Sequence, residues 1–151
     1  MHKVPLELFL VNILVSVNKI IRHSKNLTYL DFKRDEKIFG FLTRELQEIG
    51  ESVNKISKGG LFPPEEHEKW QKVVDFRNIV VHKYFGVHPE TIFEIIIREI
   101  PLLKRDILDL VRKLKNKTLF FQALSDTNQV YSDLERYETV SDLEEIEKML
   151  K

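Results

Sequence analysis

No cysteine occurs in the 151 residues, which excludes disulfides and thiolate metal sites and suits a reducing compartment. Net charge is equally absent. The 24 lysines and arginines balance 24 aspartates and glutamates, so any contact with nucleic acid must come from a local patch rather than a bulk field. Five glycines and five prolines are too few for a low-complexity or collagen-like chain. A membrane-spanning run is missing too. Leu6 to Val17 comes nearest and, after a short basic lead, loosely imitates a secretion signal. It contains Glu7 and Asn12, lacks a small-residue cleavage site and is too short to cross a bilayer. It reads better as a buried first helix of a cytoplasmic protein.

What the chain does have is helical periodicity. Hydrophobic residues at 42% and charged residues at 32% indicate a globular chain, and its length suits a single core. Leu10, Ile13, Leu14, Val17, Ile20 and Ile21 form a wide stripe, predicting a first helix from about Pro5 to Arg22 with Pro5 in its first turn. A second helix is predicted from about Asp35 to Ser57 on Ile38, Leu42, Leu46, Ile49, Val53 and Ile56, stopped by Lys58-Gly59-Gly60. Pro63-Pro64 forces a turn, and a third helix starts near Glu65 with Trp70, Val73, Val74, Val80, Val81 and Tyr84 inward. Gly86 ends or kinks it. His88-Pro89 opens a fourth helix through Ile92, Ile96, Ile100, Leu103, Ile107, Leu110 and Leu114, kinked at Pro101. Short links between four long helices predict an all-α antiparallel bundle. After Lys117 the chain turns acidic, and Ser141-x-x-Glu144 followed by Leu143, Ile146 and Leu150 predicts a short terminal helix. The expected division is a helical domain over 1–117 and an acidic, partly helical extension over 118–151.

Chemistry concentrates in Asp75 to Val87, where polar groups interrupt an apolar helix. Asp75, Asn78 and His82 follow one stripe, and Arg77 and Tyr84 another. Histidine titrates near neutrality and can take the proton from a ribose 2′-hydroxyl, help typically worth about 10²–10⁴-fold. Arginine keeps its charge and can grip phosphate oxygens through two parallel hydrogen bonds. The set suits phosphodiester cleavage without a metal or other cofactor, and the remaining histidines, His2, His23, His67 and His88, lack ligand spacing. By spacing alone, an arginine and a histidine five apart fit equally well a structural ion pair and a helix-end histidine, and Tyr84 fits a core aromatic.

Arg77-Asn78, then His82-Lys83-Tyr84, resembles the Arg-x4-His-x-Tyr signature of HepT toxins in the HEPN superfamily. Arg44-Glu45-Leu46-Gln47-Glu48-Ile49-Gly50-Glu51 resembles that family's Arg-Asn-Leu-Glu-Ile-Ile-Gly-Glu-Ala stretch. Trp70, Tyr84-Phe85-Gly86-Val87 and Ile100-Pro101-Leu102-Leu103 follow in the family's order, so the likeness covers about residues 5–115. It implies a HEPN bundle that homodimerises and brings two motifs to one cleft. Arg77 and His82 would be the catalytic pair of a metal-independent endoribonuclease, and Asn78 a supporting residue. Tyr84 would be the tyrosine that a partner nucleotidyltransferase antitoxin of the MNT type modifies with AMP. An anionic nucleotide beside Arg77 would occupy the phosphate-binding surface and repel RNA.

His88 and Pro89 depart from the family, which often carries an aspartate and an ordinary helix former there, and the acidic tail lies outside the likeness. Arg98, Lys104, Arg105, Arg112, Lys113, Lys115 and Lys117 make the preceding segment basic. The tail is therefore expected either to fold over this or a partner's basic surface, or to be a solvated or dimer-packing appendage. Two other functions stay open: a non-catalytic helical subunit that docks beside a nucleotidyltransferase, and a dimeric RNA- or nucleotide-binding module with a vestigial site.

Overall fold

The computed structural model describes the backbone of residues 4–82 and 88–151 and the side chains of 4–75 and 88–151. These residues form helices and no strand, the all-α bundle that the periodicity predicts. At the centre lies α1 (Leu6–Ser24), which touches helices on several sides. Leu10, Val11, Ile13, Leu14, Val17 and Ile20 are wholly buried on it. Each such side chain contributes roughly 1.5–3 kcal/mol against the entropy of ordering the chain. Pro5 sits just outside the helix rather than in its first turn. Its extended backbone presents a carbonyl that accepts the Leu8 N–H at 3.0 Å.

A short helix that the sequence does not announce, α2 (Tyr29–Arg34), follows. Thr28 Oγ1 caps it by accepting the Asp31 N–H, and Phe32 plugs the core. Asp35 then begins α3 (Glu36–Gly59), its carboxylate accepting the N–H groups of Lys37 and Ile38 at 3.0 and 3.1 Å. Leu42, Leu46, Ile49, Val53 and Ile56 lie buried along one side of α3, against α1. Gly60 ends the helix at φ +77°, a left-handed geometry that a side chain would strain.

The turn at Pro63 tightens into a 3-10 turn, Pro64–Glu66, before α4 (His67–His82) packs on α3. The start expected near Glu65 thus holds a tighter turn first. The expected break at Gly86 lies outside the described residues. His88 caps α5 (Pro89–Glu94) with extended backbone, as the His88-Pro89 pair predicts. Just before Pro101, where a kink is expected, the structure has a π-helical turn over Ile95–Glu99 leading into α6 (Ile100–Arg112). Proline donates no N–H and its ring crowds the carbonyl four residues back, so one extra residue in the turn relieves both problems. The Ile100 N–H bonds five residues back to the Ile95 carbonyl.

Two helices form the C-terminal segment, α7 (Thr118–Asp133) and α8 (Tyr137–Leu150). They pack on α1 through Phe120, Ala123, Leu124, Leu143 and Ile146, all buried. The predicted Ser141 cap is not used: α8 begins a turn earlier, leaving Ser141 exposed within the helix. Tertiary contacts explain the difference. Arg22 on α1 donates to Asp142 (2.9 Å), Glu138 (2.7 Å) and Thr139 (3.2 Å), holding that earlier turn in place.

Candidate functional site

α4 carries three of the four residues singled out from the sequence. Its N-terminal half is firmly anchored. The Trp70 ring stacks on Phe62 at 4.2 Å between centroids and 4° between planes, and its Nε1 donates to Glu66 Oε2 at 2.9 Å. That hydrogen bond, with Lys69 and Lys113 nearby, holds the Glu66 carboxyl below its ordinary range despite partial burial. Asp75 is exposed and accepts from Gln71 Nε2 at 2.9 Å.

Arg77, Asn78 and His82 occupy the last turns of this helix. At about 100° per residue, Asn78 and His82 stand about 40° apart around the axis, on one face. Arg77 and His82 are separated by about 140° and by about 7.5 Å along the axis. One helix therefore sets the Asn78 and His82 positions on one face and the Arg77 position round the side. Tyr84 lies outside the described residues, together with the rest of the Tyr84 to Val87 stretch.

An open groove of about 470 Å³ runs beside the N-terminal half of α4, between it and α6. Val73, Ile100 and Leu103 contribute apolar walls, and Lys69, Lys72 and Arg105 bring positive charge to it. Asp106 offsets part of that charge, lying 3.4 Å from Lys69 and 3.9 Å from Arg105. The basic stretch after Arg98 is likewise partly matched by acids within its own neighbourhood. Arg98 meets Glu94, Arg112 meets Asp109, and Lys113 meets Glu66. The expectation that the acidic tail covers this stretch of its own chain is not met. Its described long-range ion pairs go to Arg22 on α1, because the apolar faces of α7 and α8 dock there.

Near α5, burial and the neighbouring Glu90 carboxylate raise the Tyr29 phenol above its usual value. Glu90 is held low by its own backbone N–H first, then by Tyr29, His88 and Lys33. Among the described residues no group of three or more histidine, aspartate or glutamate side chains could hold a metal ion, and no helix is long and apolar enough to cross a membrane.

A second polar constellation was not read from the sequence. Glu45 on α3 is buried, its Oε1 accepting from Ser16 Oγ at 3.2 Å and facing Lys19 Nζ at 3.8 Å. The signal was present as polar positions Asn12, Ser16 and Lys19 on an otherwise apolar helix, but the partner that makes them a unit lies 26 or more residues away.

A helical bundle bearing an Arg–Asn–His set on the last turns of one helix defines the class to which comparison with known proteins then assigns the chain. Residues 13–110 match the family described as ribonuclease HepT-like, and the chain belongs to that family. It is 31% identical over 109 residues to "Putative RNase TTE0752" of Caldanaerobacter subterraneus subsp. tengcongensis, covering 71% of this chain and 95% of that one. It is also 31% identical over 109 residues to "Putative RNase MJ1380" of Methanocaldococcus jannaschii, covering 71% and 97%. A third relative, "Putative RNase MJ1216" of the same organism, is 31% identical over 117 residues, 78% of this chain and 96% of the other. No solved structure matches the chain.

Proposed function

We propose that this chain is a metal-independent endoribonuclease, the toxin of a HepT/MNT toxin–antitoxin pair, acting in the cytoplasm. The observation that carries the reading is the placement of Arg77, Asn78 and His82 on the last turns of α4 in a chain of the ribonuclease HepT-like family. In this reading His82 takes the proton from a ribose 2′-hydroxyl, and the freed oxygen attacks the adjacent phosphorus. The bond to the 5′-oxygen breaks, leaving a 2′,3′-cyclic phosphate and, after protonation, a 5′-hydroxyl. Arg77 neutralises charge building on the phosphoryl oxygens, an effect worth roughly 3–4 kcal/mol when such groups are preorganised. Asn78, one turn before His82, supports its orientation. The catalytic domain spans 1–117 and the acidic extension 118–151.

The separation of Arg77 and His82 around the helix favours a homodimer, since a two-fold axis can lay one copy's arginine beside the other's histidine. Tyr84, two residues after His82, is the site at which the nucleotidyltransferase antitoxin attaches AMP. The added phosphate then competes for Arg77 and excludes RNA.

The test uses purified protein, end-labelled RNA and a chelator. Cleavage in the presence of the chelator, with 2′,3′-cyclic phosphate ends, is expected. Tyr84→Phe should cut RNA and resist inactivation by the nucleotidyltransferase with ATP. Absence of cleavage by the unmodified chain on any RNA would favour the docking-subunit alternative instead.

A further inference from the structure

A cleft of about 510 Å³ opens where α1 and α3 meet the turn between α7 and α8, and it uses none of the α4 residues. Its floor comes from Asn12, Ser16 and Lys19, which recur at helical spacing and break the apolar surface of α1. One wall is formed by Phe41, Arg44 and Glu48, again one face of a helix. The opposite wall is Tyr131 and Arg136, from the segment beyond the family match at 13–110.

The charges in this cleft are unevenly satisfied. Buried Glu45 is balanced by Lys19 and Ser16, and Lys19 Nζ also donates to Tyr131 Oη at 3.0 Å. The Arg44 and Arg136 side chains, in contrast, have no hydrogen-bond or ion-pair partner among the described residues. Arg136 is held at the rim by an unusual turn. Glu135 adopts φ +58°, a left-handed conformation that side chains seldom take, and the Arg136 N–H folds back to the Tyr131 carbonyl at 2.9 Å. Two uncommitted guanidinium groups suit the oxygens of a phosphate, which they can grip by paired hydrogen bonds. The half-buried Phe41 offers a flat apolar surface, and the exposed Glu48 can accept from hydroxyl groups. A phosphate, a flat ring and a hydroxyl-bearing sugar are the parts of a nucleotide.

We propose that this cleft binds a nucleoside phosphate through Arg44 and Arg136, either as a free mononucleotide or as the phosphorylated end of an RNA strand. The test is titration calorimetry of the full chain with uridine 5′-monophosphate, with uridine as the phosphate-free control. Arg44→Gln and Arg136→Gln follow, their folds checked by circular dichroism. The mononucleotide is expected to bind at least tenfold more tightly than uridine. Each variant should weaken it by about tenfold or more while leaving uridine unaffected, as loss of a charged hydrogen-bond donor implies. A short RNA with and without a 5′-phosphate separates the two sources: a phosphate preference that both variants abolish assigns the RNA end, and its absence alongside mononucleotide binding assigns the free nucleotide. Failure of the mononucleotide to bind at millimolar concentration, or equal binding by wild type and both variants, overturns the proposal. RNA cleavage measured on the same preparations reports on the α4 reading separately, because neither arginine belongs to it.

Discussion

Replacing Arg22 with alanine should loosen the C-terminal helices from the rest of the bundle, and the structure allows the cost to be worked out. The bond to Asp142 is the strongest candidate, at 2.9 Å with the two side chains only 26% and 20% exposed. A charge-assisted bond so sheltered contributes roughly 1.5 kcal/mol. Glu138 is 78% exposed, so its shorter 2.7 Å bond is discounted for solvent screening to no more than about 0.5 kcal/mol. The Thr139 bond, at 3.2 Å, contributes a further half to one kcal/mol or about that. A total loss of roughly 2–3 kcal/mol corresponds to a fall in Tm of about 5–10 °C for a chain of this size. Arg22→Lys keeps the charge but not the fork, and should lose about half as much. The assay is urea unfolding together with hydrogen exchange. Protection should fall first in α8, and an Arg22→Ala/Asp142→Ala cycle should show coupling of about 1 kcal/mol. Wild-type stability in Arg22→Ala, with α8 protection unchanged, would refute the claim that this arginine clamps the tail.

Three further outcomes follow from other parts of the molecule. Because the folded-state Glu66 carboxyl is held low, it contributes stability that is fully present above its unfolded value and is lost as pH falls through the lower folded value. Acid titration of Trp70 fluorescence should therefore show a transition below the ordinary carboxylate range that Glu66→Gln removes; an identical acid limb in the variant contradicts this. Gly60→Ala should cost about 1–2 kcal/mol in urea unfolding, since φ is +77° there, and a neutral result would mean the turn readily rearranges. Mixing Arg77→Ala with His82→Ala protein should restore part of the lost RNA cleavage if two copies share each cleft, and no recovery after confirmed subunit exchange would place both groups in one copy.

The parts of the fold legible in the sequence were those with long, strict stripes. Leu42, Leu46, Ile49, Val53 and Ile56 could only be the inner face of a helix, and Gly60 its end. α2 was hidden by brevity: Phe32 is its one buried residue, too little for a periodic signal. α7 was hidden by composition. Phe120, Ala123 and Leu124 fill barely one turn before the polar surface resumes, so its docking depends on α1, not on a pattern of its own. The start of α8 was misplaced because Ser141 offers a local cap, whereas Arg22, more than a hundred residues away, decides the matter. The α4 motif was legible because unlike polar residue types, Asp75, Arg77, Asn78 and His82, interrupt an otherwise apolar stretch at short helical intervals. The second cleft was not, because Arg44 and Arg136 come to line one cleft only through the tertiary fold.

The central claim rests most directly on single-turnover RNA cleavage by wild type, Arg77→Ala and His82→Ala under one chelated buffer. Each variant is expected to retain its helical content and to cut slower by about 10²-fold or more. Either variant cutting at the wild-type rate would contradict the assignment of these two side chains to the chemistry.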